Sequence, residues 1–231
     1  MTMESSDAFY TVQKEYQVKR IAERAHYNKN DVNAIIDASY LCHISFMQNS
    51  KPTAIPMACW RNGQYIYFHS ANKGRLSKLL IGMEVCISIA LFDGLVLGHS
   101  AFNHSYNFRS VVIHGQVEEV EEIYKETAMR DFMDHILPGR WSDIRPVKEK
   151  ELRAITVMRV KLDQVAGKIR DEFPDDEVDT PDFPTWIGVI PAVTQFSAPD
   201  ADPDRNKTCV TPEYIEGYTG IDTHLAQYRK S

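Results

Sequence analysis

Three strand-like segments follow one another with almost no chain between them. "LCHISFM", "TAIPMACW" and "QYIYFH" are separated only by the turn-like "QNSKP" and by "RNG". Connections this short join antiparallel neighbours, because parallel strands need a crossover of a dozen or more residues. In "RNG", Asn62-Gly63 is a strong hairpin signal, since both residue types tolerate positive φ. "EVCISIALF" and "SVVIHGQVEEV" extend the series. "EVCISIALF" is nearly all apolar and is expected to be buried on both faces. "LRAITVMRVKLDQVAGKI" reads as one further long strand, alternating at Ile155, Val157 and Val160.

Helices are few. "NKNDVNAIIDASY" places Val32, Ile35 and Ile36 on one helical face, with Asn30 or Asp31 as its cap. Val120, Ile123, Tyr124, Ala128 and Phe132 also follow a helical period, which Pro138-Gly139 ends. About six strands with two or three inserted helices do not make the alternating rhythm of a parallel sheet. The pattern is β-rich α+β, and a barrel closes such a sheet without bare edges. Residues 1–28 are polar and patternless and are expected to form an arm. Residues 29–191 form the domain, with the apolar island "TWIGVIPAV" docking back on it. Residues 192–231, with "SAPDADPDRNK", read as a Pro- and Asp-rich surface extension.

Composition narrows the function. The 231 residues carry 26 basic and 32 acidic side chains, a net charge of −6. A general nucleic-acid binder shows a basic excess instead. The longest apolar runs are strand-sized, well short of the roughly 18 residues that span a membrane. The N-terminus lacks the basic start and apolar stretch of a secretory signal, so the cytoplasm is the expected location. Cys42, Cys59, Cys86 and Cys209 show no CxxC spacing. The first three sit in apolar, strand-like surroundings as small hydrophobes.

Against this background "HSANKGRLSKLL" is unusual, because it joins two greasy strands with anion-binding groups. Lys73, Arg75 and Lys78 lie within six residues, with Ser70 and Ser77 among them. If a helix begins near Lys73 or Gly74, Arg75 and Lys78 share a face. Cations, hydroxyls and free N–H groups together suit a phosphate. On these residues alone, an exposed basic helix explains them as well. GxxxxGK[ST] is absent, and no GxGxxG opens a helix after a strand, which disfavours Walker and Rossmann sites.

These stretches resemble the split-barrel flavin-binding proteins related to pyridoxamine 5′-phosphate oxidase, and most of all their nitroimidazole-resistance-type branch. The matching stretches are "AIPMACWRNGQYIYFHSANKGRLSKL", "DGLVLGHSAFNHSYNFRSVVIHGQV", "PGRW", "AGKIR" and "WIGVIP". Their order and spacing carry the likeness more than any one of them. The resemblance implies a six-stranded antiparallel split barrel and a homodimer with FMN at its interface. Carried over by position, Arg75 and Lys78 would hold the FMN phosphate. His69 and Ser70 would lie beside the ribityl chain or the ring. Backbone groups of Ile55, Pro56, Met57 and Ala58 would read the isoalloxazine edge. Asn107, Arg109 and Ser110 would approach the flavin, in one arrangement from the other subunit, and Trp186 would cover the site. The chain departs from the phosphate oxidase itself, whose Arg-containing C-terminal ending is not recognisable here.

Other residues admit plainer readings. His69 is either a proton donor to a substrate under reduction or a core histidine. His99, His104 and His114 outline a metal triad, but its carboxylate partner and closed spacing are missing, so no metal is expected. No GxSxG elbow supports a serine hydrolase. Arg140 and Trp141 either wall a substrate pocket or pack. Lys168 and Arg170 read as a solvated strand end, and Tyr65, Tyr67 and Phe68 as sheet and core residues. The reading is an FMN-dependent oxidoreductase acting on a small electron-poor compound such as a nitro-aromatic. The alternatives are a non-catalytic module for flavin or haem, with His69 or a histidine from 99 to 114 on the iron, and pyridoxamine phosphate oxidation.

Overall fold

A computed structural model describes residues 8–72, 74–175, 184–205 and 210–220. Lys73 and Cys209 lie outside the described residues. The elements run β1 (Ala25–His26), α1 (Lys29–Asp37), β2 (Leu41–Gln48), β3 (Lys51–Asn62), β4 (Tyr65–Ala71), α2 (Arg75–Leu80), β5 (Glu84–Leu97) and β6 (Ser105–Glu119). They continue with α3 (Lys125–Ile136), α4 (Arg140–Asp143), α5 (Glu149–Leu152), β7 (Ile155–Lys161), β8 (Gln164–Arg170), β9 (Gly188–Pro191) and α6 (Glu213–Glu216).

Every strand pairing is antiparallel. β2, β3, β4, β7, β6 and β5 pair in turn and close into a ring of six. β8 adds to β6, β1 to β8, and β9 to the far end of β5. β9 is the apolar island of the sequence, returned to the barrel. Short turns enforce this order. Asn49 and Ser50 both take positive φ, at 51° and 61°, and join β2 to β3, as a two-residue hairpin turn requires. The β3–β4 turn uses positive φ only at Gly63 (55°), while Asn62 stays in the strand opposite Tyr65.

Several expectations need correction. The cap of α1 is Asn28, whose side chain accepts from the N–H of Asn30 at 2.8 Å, not Asn30 or Asp31. The long strand near residues 152–169 is two strands, β7 and β8, turned at Leu162-Asp163 without the help of Gly or Pro. The residues before α1 pack on the barrel, with Tyr10 and Val12 buried in the main core.

That core fills the barrel. Ile44, Phe68, Ile87, Ile113, Met158 and Val160 point inward and are fully buried, and α1 lays Val32, Ile35 and Ile36 against them. Each such side chain contributes about 1.5–3 kcal/mol of apolar transfer. A second cluster sits outside the ring. There α3 covers Trp60 and Val157 with Ala128 and Phe132.

β5 departs from its expected two-sided burial. Val85, Ile87, Ile89 and Leu91 are buried, whereas Cys86, Ser88, Ala90 and Phe92 face outward and are partly or fully exposed. Alternation sends every second residue to the outer face, and here no helix covers it. The registers lay out that face in rows, Pro56–His43–Ser88–Val112 and Ala54–Ser45–Cys86–His114. Its side chains are mostly small.

Candidate cofactor-binding site

The barrel is split between β3 and β4. These strands pair only over Cys59–Asn62 and Tyr65–Phe68. Beyond Phe68, residues His69, Ser70 and Ala71 pair with β7 on one side alone. Before Cys59, β3 pairs with β2 alone. Backbone groups of successive residues turn to opposite sides of a strand. The N–H of Cys59 turns to β2, donating to the carbonyl of Tyr40 at 3.2 Å. Met57, Ile55 and Thr53 share that direction, so Ala58, Pro56, Ala54 and Pro52 turn to the open edge. Both prolines fall where a missing N–H breaks no ladder bond. The open edge offers the carbonyls of Pro52, Ala54 and Pro56 and the N–H of Ala54, with Ala58 where the pairing to β4 begins.

At the end of β4 the chain turns tightly into α2. A Cβ at Gly74 would lie 2.9 Å from the carbonyl oxygen of Ala71, so only glycine fits. The Ser77 hydroxyl is buried against the carbonyls of Gly74 and Ala71, at 3.1 and 3.3 Å. Ser77 therefore builds the loop rather than offering a ligand group. Arg75 and Lys78 differ. Both are exposed, and among the described residues neither makes an ion pair.

His69 lies on the outer face under α3, between Trp60 and Phe132, with ring centroids 6.0 and 5.1 Å away. Its Nδ1 and the Nε1 of Trp60 are buried without hydrogen-bond partners among the described residues. Burial pushes the His69 pKa down, holding the ring neutral at neutral pH.

The β6 residues form a second, separate group. Ser110 lies on β6, which β5 and β2 separate from β3, about 14 Å at the usual strand spacing. Its hydroxyl donates to the carbonyl of Lys168 at 3.3 Å. Asn107 is buried, with its oxygen accepting from the Arg170 guanidinium and the N–H of Glu172, and its amide donating to the Glu172 carbonyl. Arg109 holds Asp93 with two bonds of 2.7 and 2.9 Å. Arg170, expected at a solvated strand end, is buried in this network. Its charge is satisfied there, which is what permits the burial.

The C-terminal candidates are more open. Trp186 is 64% exposed and leans over Gly188, where a Cβ would meet the indole at 2.8 Å. Arg140 bonds the hydroxyl of Tyr214, and Trp141 lies under Arg130 at 5.6 Å. His43, not singled out in the sequence, projects from the outer face opposite Pro56 and Ser88. Its only sequence signal was its place in "LCHISFM", where alternation puts it opposite the buried Cys42 and Ile44.

Comparison with known proteins agrees with this architecture. Residues 28–169 match the model of the family described as pyridoxamine 5′-phosphate oxidase. No curated protein matches the chain. Among solved structures, the flavocytochrome Anf3 from Azotobacter vinelandii is 36% identical, with a TM-score of 0.84, over 89% of this chain and 97% of that one. The FAD and haem binding protein from Mycobacterium smegmatis is 25% identical, with a TM-score of 0.82, over 85% and 98%. A protein described by 5-nitroimidazole antibiotic resistance, from Bacteroides thetaiotaomicron, shares the fold at 23% identity and a TM-score of 0.53, over 63% and 86%. With well over half its length matched by the family model, the chain belongs to the pyridoxamine 5′-phosphate oxidase family, on its flavin-binding split-barrel branch.

Proposed function

We propose that this chain is a flavin-dependent redox protein that holds FMN, or the FMN half of FAD, in the split between β3 and β4. The observation that carries this reading is the pairing of an open backbone edge with two unpaired cations at its end. The carbonyls of Pro52, Ala54 and Pro56 and the N–H groups of Ala54 and Ala58 can read a ring with alternating donors and acceptors. Arg75 and Lys78 supply the charge a phosphate needs, about −2 at neutral pH. A flavin bound there would supply hydride and electron transfer. The substrate that fits is a small electron-poor compound that stacks on the ring. With Nδ1 sealed, His69 exchanges protons or hydrogen bonds with a ligand through Nε2.

The same reading makes the protein a homodimer. Among the described residues no helix covers the outer face of β2, β3, β5 and β6, which carries exposed Leu41 (60%), Met47 (57%), Phe92 (47%) and Val112 (37%). An open apolar face of this kind marks an interface. A second copy seated on it would bring the partner's β6 toward a site that one chain leaves half built. Among the described residues no helix is long and apolar enough to cross a membrane.

A second reading adds haem. It is favoured by the likeness to a flavocytochrome at 36% identity over 89% of the chain. The test is direct. The purified protein should show flavin absorption, and mass spectrometry of the released cofactor distinguishes FMN from FAD. Light scattering should report a dimer. A colourless protein that takes up no added flavin would remove the proposal, and a monomer with full flavin occupancy would remove the dimer.

A further inference from the structure

A cleft of about 520 Å³ opens at the end of the barrel where the β3–β4 and β7–β8 turns meet. Gly63 comes from one turn, and Asp163 and Gln164 from the other. Phe9 and Tyr10, which precede α1, and Lys29 and Asn33 of α1 complete it. The volume falls within the roughly 300–1,000 Å³ of small-molecule sites. The cleft is remote from the flavin edge. β4 runs Tyr65–Ala71, so Gly63 and the loop that carries Arg75 stand at its opposite ends, about 20 Å apart at the usual rise. Gly63 takes a φ of 55°, and a Cβ there would meet nothing within 4 Å, so this corner of the cleft is open.

The bonds that hold the chain here also decide which polar atoms are spent. The Tyr10 N–H donates to the Tyr27 carbonyl at 2.8 Å and fixes the segment across the barrel end. The Tyr10 hydroxyl donates to the Asn33 side-chain oxygen at 2.7 Å. Burial pushes the Tyr10 pKa up to about 12, so the phenol keeps that proton. The Gln13 N–H donates to the Gln164 side-chain oxygen at 2.8 Å. Both amide oxygens are therefore engaged. The NH₂ groups of Asn33 and Gln164 have no partner among the described residues. An amide NH₂ can only donate.

Lys29 supplies charge. It is half-buried, with its Nζ 5.6 Å from the centre of the Tyr10 ring. It makes no ion pair among the described residues. Asp163, the carboxylate of the cleft, is held by the Lys161 Nζ at 2.9 Å. One cation is left over. Phe9, 40% exposed, adds apolar surface. A single unpaired cation with donor-only amides suits a singly charged acceptor. A carboxylate fits, because its two oxygens accept charge-assisted hydrogen bonds. A phosphate, with about −2 at neutral pH, would be left short of positive charge.

We propose that this cleft binds a small carboxylate with an aromatic or apolar body. Lys29 meets its charge, Asn33 and Gln164 donate to its oxygens, and Phe9 packs on its body. The site stands apart from the flavin reading and needs no flavin to be tested. Equilibrium dialysis of radiolabelled benzoate is run on wild type, Lys29→Gln and Asn33→Asp, each checked for an unchanged melting temperature, with visible absorbance followed in parallel. Asn33→Asp keeps an acceptor for the Tyr10 hydroxyl but sets a carboxylate against the ligand. Wild type should bind one benzoate per chain with a dissociation constant of about 1 mM or tighter. Each variant should bind at least about tenfold more weakly, and any flavin bands should stay where they are. No binding by wild type up to about 10 mM benzoate, or equal binding by all three proteins, would overturn the site. Equal binding with displaced flavin bands would assign benzoate to the flavin ring instead. Tighter binding of inorganic phosphate than of benzoate would overturn the carboxylate class.

Discussion

Two arginine-bearing regions of this barrel use the same chemistry in opposite ways. On α2, Arg75 and Lys78 stand exposed with no ion-pair partner among the described residues. On β6 and β8, Arg109 and Arg170 are largely buried, and their guanidinium groups bond Asp93, Asn107 and the backbone carbonyl of Glu172. A satisfied guanidinium builds scaffold, because its hydrogen bonds are already spent within the chain. An unpaired cation beside an open edge has its interactions still to make. Residue type alone does not separate a binding site from a brace; the partners do.

The sharpest way to break this contrast is to remove each group in turn. Arg75→Ala with Lys78→Ala should leave the melting temperature within a degree or two, as exposed substitutions change stability by about ±0.5 kcal/mol. FMN affinity should fall by roughly 10²–10⁴-fold, since each charge-assisted bond is worth about 1.5–3 kcal/mol. Titration monitored by flavin fluorescence checks this, and unchanged affinity would make α2 a plain solvated helix.

Asn107→Leu should do the reverse. It removes three hydrogen bonds of about 1 kcal/mol each, so calorimetry should show melting lowered by about 6–12 °C. Flavin affinity, measured below the transition, should change less than in the double variant. A stable Asn107→Leu protein that has lost its flavin would place Asn107 in the site instead.

Smaller effects sharpen the picture. Gly74→Ala forces a Cβ to 2.9 Å from a backbone carbonyl and should cost about 1–2 kcal/mol. Because the loop presents Arg75, flavin affinity should drop with it, which chemical denaturation and titration together would report.

The smallest effect concerns acid. Burial depresses the pKa of His69, His114 and His135 below 6.5. Below that value the unfolded chain takes up protons the folded chain refuses, so stability should fall as pH drops from about 6.5. His69→Gln should flatten this limb in a melting-versus-pH series, and an unaltered slope would show that His69 titrates normally.

Much of this was readable along the chain where the signal is local. The turn into α2 with exposed Arg75 and Lys78 could be placed because a glycine, a strand end and a helical spacing lie within a dozen residues. The hairpins followed from turn chemistry, although Asn49-Ser50, not Asn62-Gly63, proved to be the turn with two positive φ values. The barrel, with its six paired strands, could be named from the succession of short connections. What stayed hidden depends on distant partners. Arg170 looked solvated because Asn107, which neutralises the cost of burying it, is 63 residues away. β7 and β8 looked like one strand because Leu162-Asp163 turns without glycine or proline. β5 looked buried on both sides because Cys86, Ser88 and Ala90 are small enough to hide, yet no helix among the described residues covers them.

The most direct test compares two ligands on the unaltered protein. FMN and riboflavin share the ring and differ by the phosphate. Isothermal titration of the apoprotein should find FMN bound at least about 100-fold more tightly, because Arg75 and Lys78 have only the phosphate to meet. Equal affinities for FMN and riboflavin would mean that the cations of α2 do not hold the cofactor, and the account of the split as a flavin site would fail at its centre.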